Sequence, residues 1–186
     1  TFFQKRSDEQ GGNPSWFVVD LGGQDIFKST DGTDERDKDF RARFLLFAPD
    51  YNVFAWNSDY RVSTKWYCSE DESIRTKNVQ TLPIIRATEI RYIMAEHYAR
   101  QGNFTEAYNI LNTIRSARGL DTSLQERNDL DQFLQDMIRD AQREWISEGQ
   151  LFYLYKRLGA KVKIGNTSRK LNKSEYMLPI PDNQNM

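Results

Sequence analysis

The chain has 186 residues, enough for one domain or for one domain with an extended arm. Its 26 Lys and Arg balance 27 Asp and Glu to a net charge of −1, which argues against a nucleic-acid binder. With 38% hydrophobic and 28% charged residues it has a polar surface around a modest core, and no apolar run approaches the roughly 20 residues that span a bilayer.

Residues 1–81 read as a loop-rich aromatic segment with short strands. The chain opens at Thr1 without Met or a signal peptide, as a mature or trimmed piece would, so a targeting element is expected upstream. "DEQGGNP" and "DLGGQD" carry turn chemistry, and "SWFVVDL" between them reads as a short strand. "KSTDGTDERDKD" reads as a charged loop, and the partly alternating "FRARFLLF" as another strand. From Phe44 to Tyr67 aromatic rings crowd a stretch of low helical character. The single Cys68 permits no internal disulfide and reads as a small, partly buried side chain.

Residues 82–186 change character and read as a helical region with an extended tail, packed with the first segment as one domain. In "LPIIRATEIRYIMAEHYARQG" the spacing of Ile90, Ile93, Met94 and His97 predicts one helix with these four on a shared face, ended by Gly102. "NFTEAYNILNTIRSARG" predicts a second helix, capped by Asn103 or Thr105, with Ala107, Ile110, Leu111 and Ile114 as its inner stripe. Small Ala95, Ala99 and Ala107 let these two helices approach closely. A long third helix is expected over 128–158, from Leu130 to Tyr155 at helical period, with a kink or a close backbone contact at Gly149. Pro179 and Pro181 keep "LPIP" extended.

The chemistry-bearing residues are sparse. His97 is the only histidine, which excludes a two-histidine metal site, and no cysteine cluster suits zinc. No metal or cofactor is expected. Glu144 and Glu148, four apart on one expected helix face, have the spacing of an acid/base pair, yet the basic residues around them favour a salt-bridged helix. The aromatic stretch is the better binding surface, because indole and phenol rings stack on the apolar faces of sugars while their polar edges hydrogen-bond. Trp56, Tyr60 and Trp66 are the ligand-binding candidates.

The order of Ala95, Tyr98, Gly102, Phe104 and Ala107 follows the tetratricopeptide pattern: a glycine turn, Phe104 plugging the hairpin end, and alanines for close packing. One such hairpin cannot bury both of its faces, so it must pack on something else. The longer stretch resembles the helical hairpin of the SusD/RagB family. Arg86, Glu89, Ala95, Glu96, Gly102, Ala107, Asn112, Ile114, Arg115, Arg118, Gly119 and Leu120 occupy that pattern's slots. "REWISEGQLFYLYKRLG", with Glu144, Glu148 and Gly149, resembles the family's next helix, and "YMLPIPDNQNM" its near-terminal segment. Departures fall at Gln150-Leu151, where the family has His-Arg, and at Tyr153, where it commonly has Asp. "TDERDKDFRARF" is similar to the family's Asp-x-Arg stretch before a strand.

The resemblance covers the C-terminal portion of such a protein. It implies a mainly α, SusD-like fold with a tetratricopeptide-like hairpin, a long third helix, long irregular loops and a few short strands. It implies a non-catalytic lipoprotein, anchored upstream of this chain on the extracellular face of the outer membrane in Bacteroidetes. Such a protein binds a glycan or other nutrient and works with a SusC-like TonB-dependent importer. A helical-repeat adaptor between proteins is the alternative.

Overall fold

The computed structural model describes residues 3–6, 16–20, 26–47, 60–63, 65, 85–164 and 167–177. Two compact units divide the chain at 147/148: Phe2–Ser147 and 148–186.

In the first unit, four strands form one antiparallel sheet: β1 (Phe3–Arg6), β2 (Trp16–Asp20), β3 (Leu46–Phe47) and β4 (Tyr60–Ser63), in the order β1-β2-β4-β3. β2 lies where "SWFVVDL" was expected to be extended, and Val18 pairs with Val62 of β4. "FRARFLLF" departs from its expected strand: α1 (Phe40–Leu45) occupies most of it and only Leu46–Phe47 is extended. Asp39 causes this, because its side chain accepts the Arg41 backbone N–H at 2.9 Å and starts a helix.

The helical core follows the hairpin expected from the glycine turn. α2 (Ala87–Arg100) and α3 (Phe104–Ser116) are joined at Gly102, and the Asn103 side chain caps α3 by accepting the Glu106 N–H at 3.2 Å. Ala95, Ala99 and Ala107 are all buried, as close approach of the two helices requires. The packed face of α2 differs from the expected one. Ile90, Ile93, Met94 and His97 are exposed, while Tyr92, Ala95, Glu96 and Ala99 point inward. Both sets obey the helical period, and the inward one contains the small side chains that permit close contact. Phe104, the expected plug of the hairpin end, is half-buried; Tyr108, one turn on, is buried and meets Phe133 edge-on at 5.1 Å.

The expected long third helix is two helices. α4 (Leu130–Glu144) starts at the Asp129 cap and ends at Glu144, and α5 (Gln150–Leu158) begins after Gly149 in the second unit. The break has a packing cause within the first unit. Trp145 packs edge-on against Tyr92 at 5.4 Å, while the next residue, Ile146, is buried with Ile26, Phe27 and Leu46. Ser147 then has φ of 65° and Gly149 of 74°, neither of them helical.

Among its described residues the second unit holds α5, an antiparallel ribbon of β5 (Lys161–Ile164) and β6 (Thr167–Lys170), and a 3-10 turn over Lys173–Tyr176. Tyr176 is buried and packs on Phe152 of α5 at 5.7 Å. Among the described residues no helix is long and apolar enough to cross a membrane.

Candidate functional site

The densest polar cluster among the described residues lies where α1, α3 and α4 meet. The α1 N-terminus turns Arg41 inward, and its guanidinium grips Asp39 with two prongs, Nε to Oδ1 and Nη2 to Oδ2, each at 2.9 Å. From α4, Asp140 meets Arg41 Nη2 at 2.8 Å and Glu144 meets Nη1 at 3.3 Å. Asp140 and Glu144 are four apart, so α4 presents both carboxylates on the same face. Arg143, from the next position round α4, reaches Glu35 at 2.6 Å, Asp39 at 3.2 Å and the Ile26 carbonyl at 2.7 Å. Arg115 of α3 holds the other oxygen of Glu35. Arg118 takes Glu144 in a second two-pronged pair, at 2.7 and 2.9 Å.

Four carboxylates thus meet four guanidiniums, and all but Arg118 are at most 5% exposed. Two hydroxyls extend the network: the Tyr92 phenol donates to Asp140, and Tyr108 donates to Asp136 at 2.9 Å, which also accepts from Thr30 at 2.6 Å. Burial alone would raise the pKa of Asp140. The Arg41 charge and hydrogen bonds, the Arg143 charge and the Tyr92 donor outweigh it and hold the group at about 2. For Glu144, too, burial acts upward, and the Arg118 hydrogen bonds and the Arg41 charge bring it below the usual carboxylate range. Removing one member of such a buried set costs about 3–5 kcal/mol, because its partner is left charged and unpaired. The lattice therefore fixes residues 26–47 onto the helices.

This arrangement is built to hold, not to react. Glu144 is ionised and clamped between two arginines, so it has no proton to give at neutral pH. It does not share a helix with Glu148 as expected, since α4 ends at Glu144. No group of three or more His, Cys, Asp or Glu among the described residues is placed to hold a metal.

The sequence-derived residues fall in several places. Trp56 and Trp66 lie outside the described residues. Tyr60 begins β4, its backbone paired opposite Asp20. Arg86 precedes α2 as its N-cap and Glu89 is half-buried in its first turn. Glu96 is buried and accepts from Arg100 at 2.8 Å. Ala107 is buried, and Gly102 and Gly149 have positive φ. Glu148 is half-buried, just past the break. Only Arg115 of this set joins the lattice. Sequence reasoning missed Glu35, Asp39, Arg41 and Asp140; for Asp39 and Arg41 a signal was present in "DERDKDFRAR", an Asp two residues before an Arg in the stretch that resembles the family's Asp-x-Arg segment, while Asp140 had none.

Comparison with known proteins gives one match. The SusD family model matches residues 46–186, more than half of the chain. No curated protein and no solved structure matches. Asp39 and Arg41 lie before the matched span, while Asp140 and Glu144 lie within it; the lattice joins the two.

Proposed function

From the premise that the chain belongs to the SusD family, we propose that it binds a glycan or other nutrient and passes it to a SusC-like TonB-dependent importer. The family's role is nutrient binding at the cell surface. In this reading the protein is non-catalytic. It sits on the extracellular face of the outer membrane by a lipid anchor upstream of this chain. Trp56, Tyr60 and Trp66 contact the ligand.

The observation that carries the reading is the family match over residues 46–186, in which charges in slots of the family pattern have a mechanical use. Of three residues in slots of the family pattern, Arg115 holds the buried Glu35, and the partly exposed Arg118 pairs directly with the buried Glu144. A scaffold of this kind carries a ligand on its loops. A second reading, a protein-binding adaptor, draws on Ile90, Ile93 and Met94, exposed along α2 at 49%, 57% and 45%.

Affinity electrophoresis of the full chain against a polysaccharide panel, with a reducing-sugar assay alongside, tests the proposal. Retardation by at least one glycan without sugar release is expected, and Trp56→Ala with Trp66→Ala should shorten it. Sugar release abolished by Glu148→Gln would replace the binder with an enzyme. Retention by no glycan, with recovery of a defined soluble partner, would leave the adaptor.

A further inference from the structure

The second unit carries a strong charge imbalance. From Gly149 to Ser174 the sequence holds five lysines and two arginines and no Asp or Glu. That is +7 in a chain of net −1, which leaves −8 on the remaining residues. Like charges this close repel one another.

Arg169 has its counter-charge. It meets Glu175 with two prongs, Nη1 to Oε2 at 2.8 Å and Nη2 to Oε1 at 2.5 Å. Those bonds, with the Asn172 N–H, hold the Glu175 carboxyl at about 2, so it stays ionised and engaged. Arg169 pairs across the ribbon with Val162, and successive residues of a strand face opposite ways, so Lys161 and Lys170 lie on the other face. There they stand directly opposite each other, both exposed. Neither ammonium has an acidic partner among the described residues. Like charges at directly opposed positions destabilise a ribbon, and an anion between them removes the repulsion.

The geometry points to this face of the β5–β6 ribbon as a docking site for the carboxylate or sulfate groups of an acidic polysaccharide. The assignment rests on the nutrient-binding reading and narrows its ligand to a charged glycan. Two features select a glycan over a lipid surface. On α5, Tyr153 is 69% exposed and shares its helix face with Lys156 and Arg157, three and four residues on, the Lys156 Nζ also donating to the Tyr176 carbonyl at 3.3 Å. A ring beside cations suits an acidic sugar, whose apolar face stacks while its acid meets the charge. The strand β6, Thr-Ser-Arg-Lys, is exposed throughout and offers no apolar side chain to enter a headgroup layer.

The test is calorimetric titration of the full chain, at low salt, with polygalacturonate, dextran sulfate, neutral dextran and phosphatidylglycerol vesicles. Binding to an acidic glycan is expected. Lys161→Gln with Lys170→Gln should weaken it roughly fivefold, as loss of two exposed ion pairs would. Lys170→Glu should abolish it while raising the melting temperature, because the new carboxylate pairs with Lys161. The control Lys38→Gln with Arg91→Gln, in the first unit, should leave affinity unchanged. Undiminished affinity in the ribbon variants, an equal loss in the control, or binding to vesicles without binding to acidic glycans overturns the proposal. Binding of neutral dextran alone overturns it too, but leaves nutrient binding standing; binding of no glycan at all, here and across the electrophoresis panel, removes both.

Discussion

Asp140 shows what a single buried acid does in this molecule. It is 1% exposed, takes Arg41 at 2.8 Å and accepts from Tyr92, whose phenol is itself pushed well up by burial and by the Asp140 charge, so it stays a donor. The folded pKa of about 2 lies below the roughly 3.9 of a free aspartate. A depressed folded pKa adds stability above the unfolded value, and that stability is lost as pH falls toward the folded one. Glu144 shifts in the same direction and adds to the same trend. Stability by urea melts should therefore be flat near neutrality and fall between about pH 4 and pH 2. Asp140→Asn should lower the neutral plateau and flatten the acid limb; an acid limb as steep as that of the parent would show that Asp140 is not its source. None of this was legible from Asp140 itself, because an acid on a charged helix reads as solvent-facing. Arg115, Arg118 and Glu144 were legible only as members of a pattern. The use of Arg115 emerged when "DERDKD", expected to be a charged loop, supplied Glu35, and that of Glu144 when Arg41, itself held by Asp39, reached it from α1.

Most elements were legible where a local signal sets them, the exception being α1, whose Asp39 cap was read as part of a charged loop before a strand. Gly102 follows α2 as expected, with φ of 79°, and Gly119 follows α3 with φ of 84°. Their surroundings differ. A Cβ at Gly102 would meet nothing within 4 Å, but at Gly119 it would lie 2.6 Å from Phe40 Cε1 and 2.8 Å from the Lys38 carbonyl oxygen. The Phe40 ring can turn aside. The carbonyl cannot easily withdraw, because the neighbouring Phe40 N–H is bonded to the Arg118 carbonyl at 2.8 Å. Gly102→Ala should thus cost about 1–2 kcal/mol, the price of the left-handed backbone alone, and Gly119→Ala distinctly more. Equal urea midpoints for the two variants would mean that α1 does not press on the end of α3. Two elements were misread for tertiary reasons. The α2 stripe of Ile90, Ile93 and Met94 has the right period, but side-chain size selected the alanine face for packing. The helix expected over 128–158 has helical period throughout, yet Trp145 and Ile146 are adjacent residues buried against different partners, Tyr92 and the Phe27 cluster, which helix periodicity does not reveal.

At the scale of the whole molecule, charge occurs in two physical forms. In the network around Arg41 and Arg143 it is balanced, four acids against four arginines, all buried but Arg118; in the second unit it is exposed and one-sided around the ribbon. The two forms must respond differently to salt. Screening acts through solvent, with a Debye length of about 10 Å at 0.1 M, and weakens exposed charges far more than pairs excluded from water. Raising sodium chloride from about 0.05 to 0.5 M should leave the melting temperature within about 3 °C, equivalent to roughly 1 kcal/mol for a chain this size. Over the same range, affinity for an acidic glycan should drop steeply, since Lys161 and Lys170 face solvent. Circular dichroism melts and titrations on one preparation check both at once. A melting temperature that falls well beyond that range would mean that the lattice around Arg41 and Arg143 is open to ions, and its role as the clamp on residues 26–47 would fail. A salt-independent affinity would instead place glycan recognition on uncharged stacking, on the aromatic stretch that holds Trp56 and Trp66, and take the ribbon out of it.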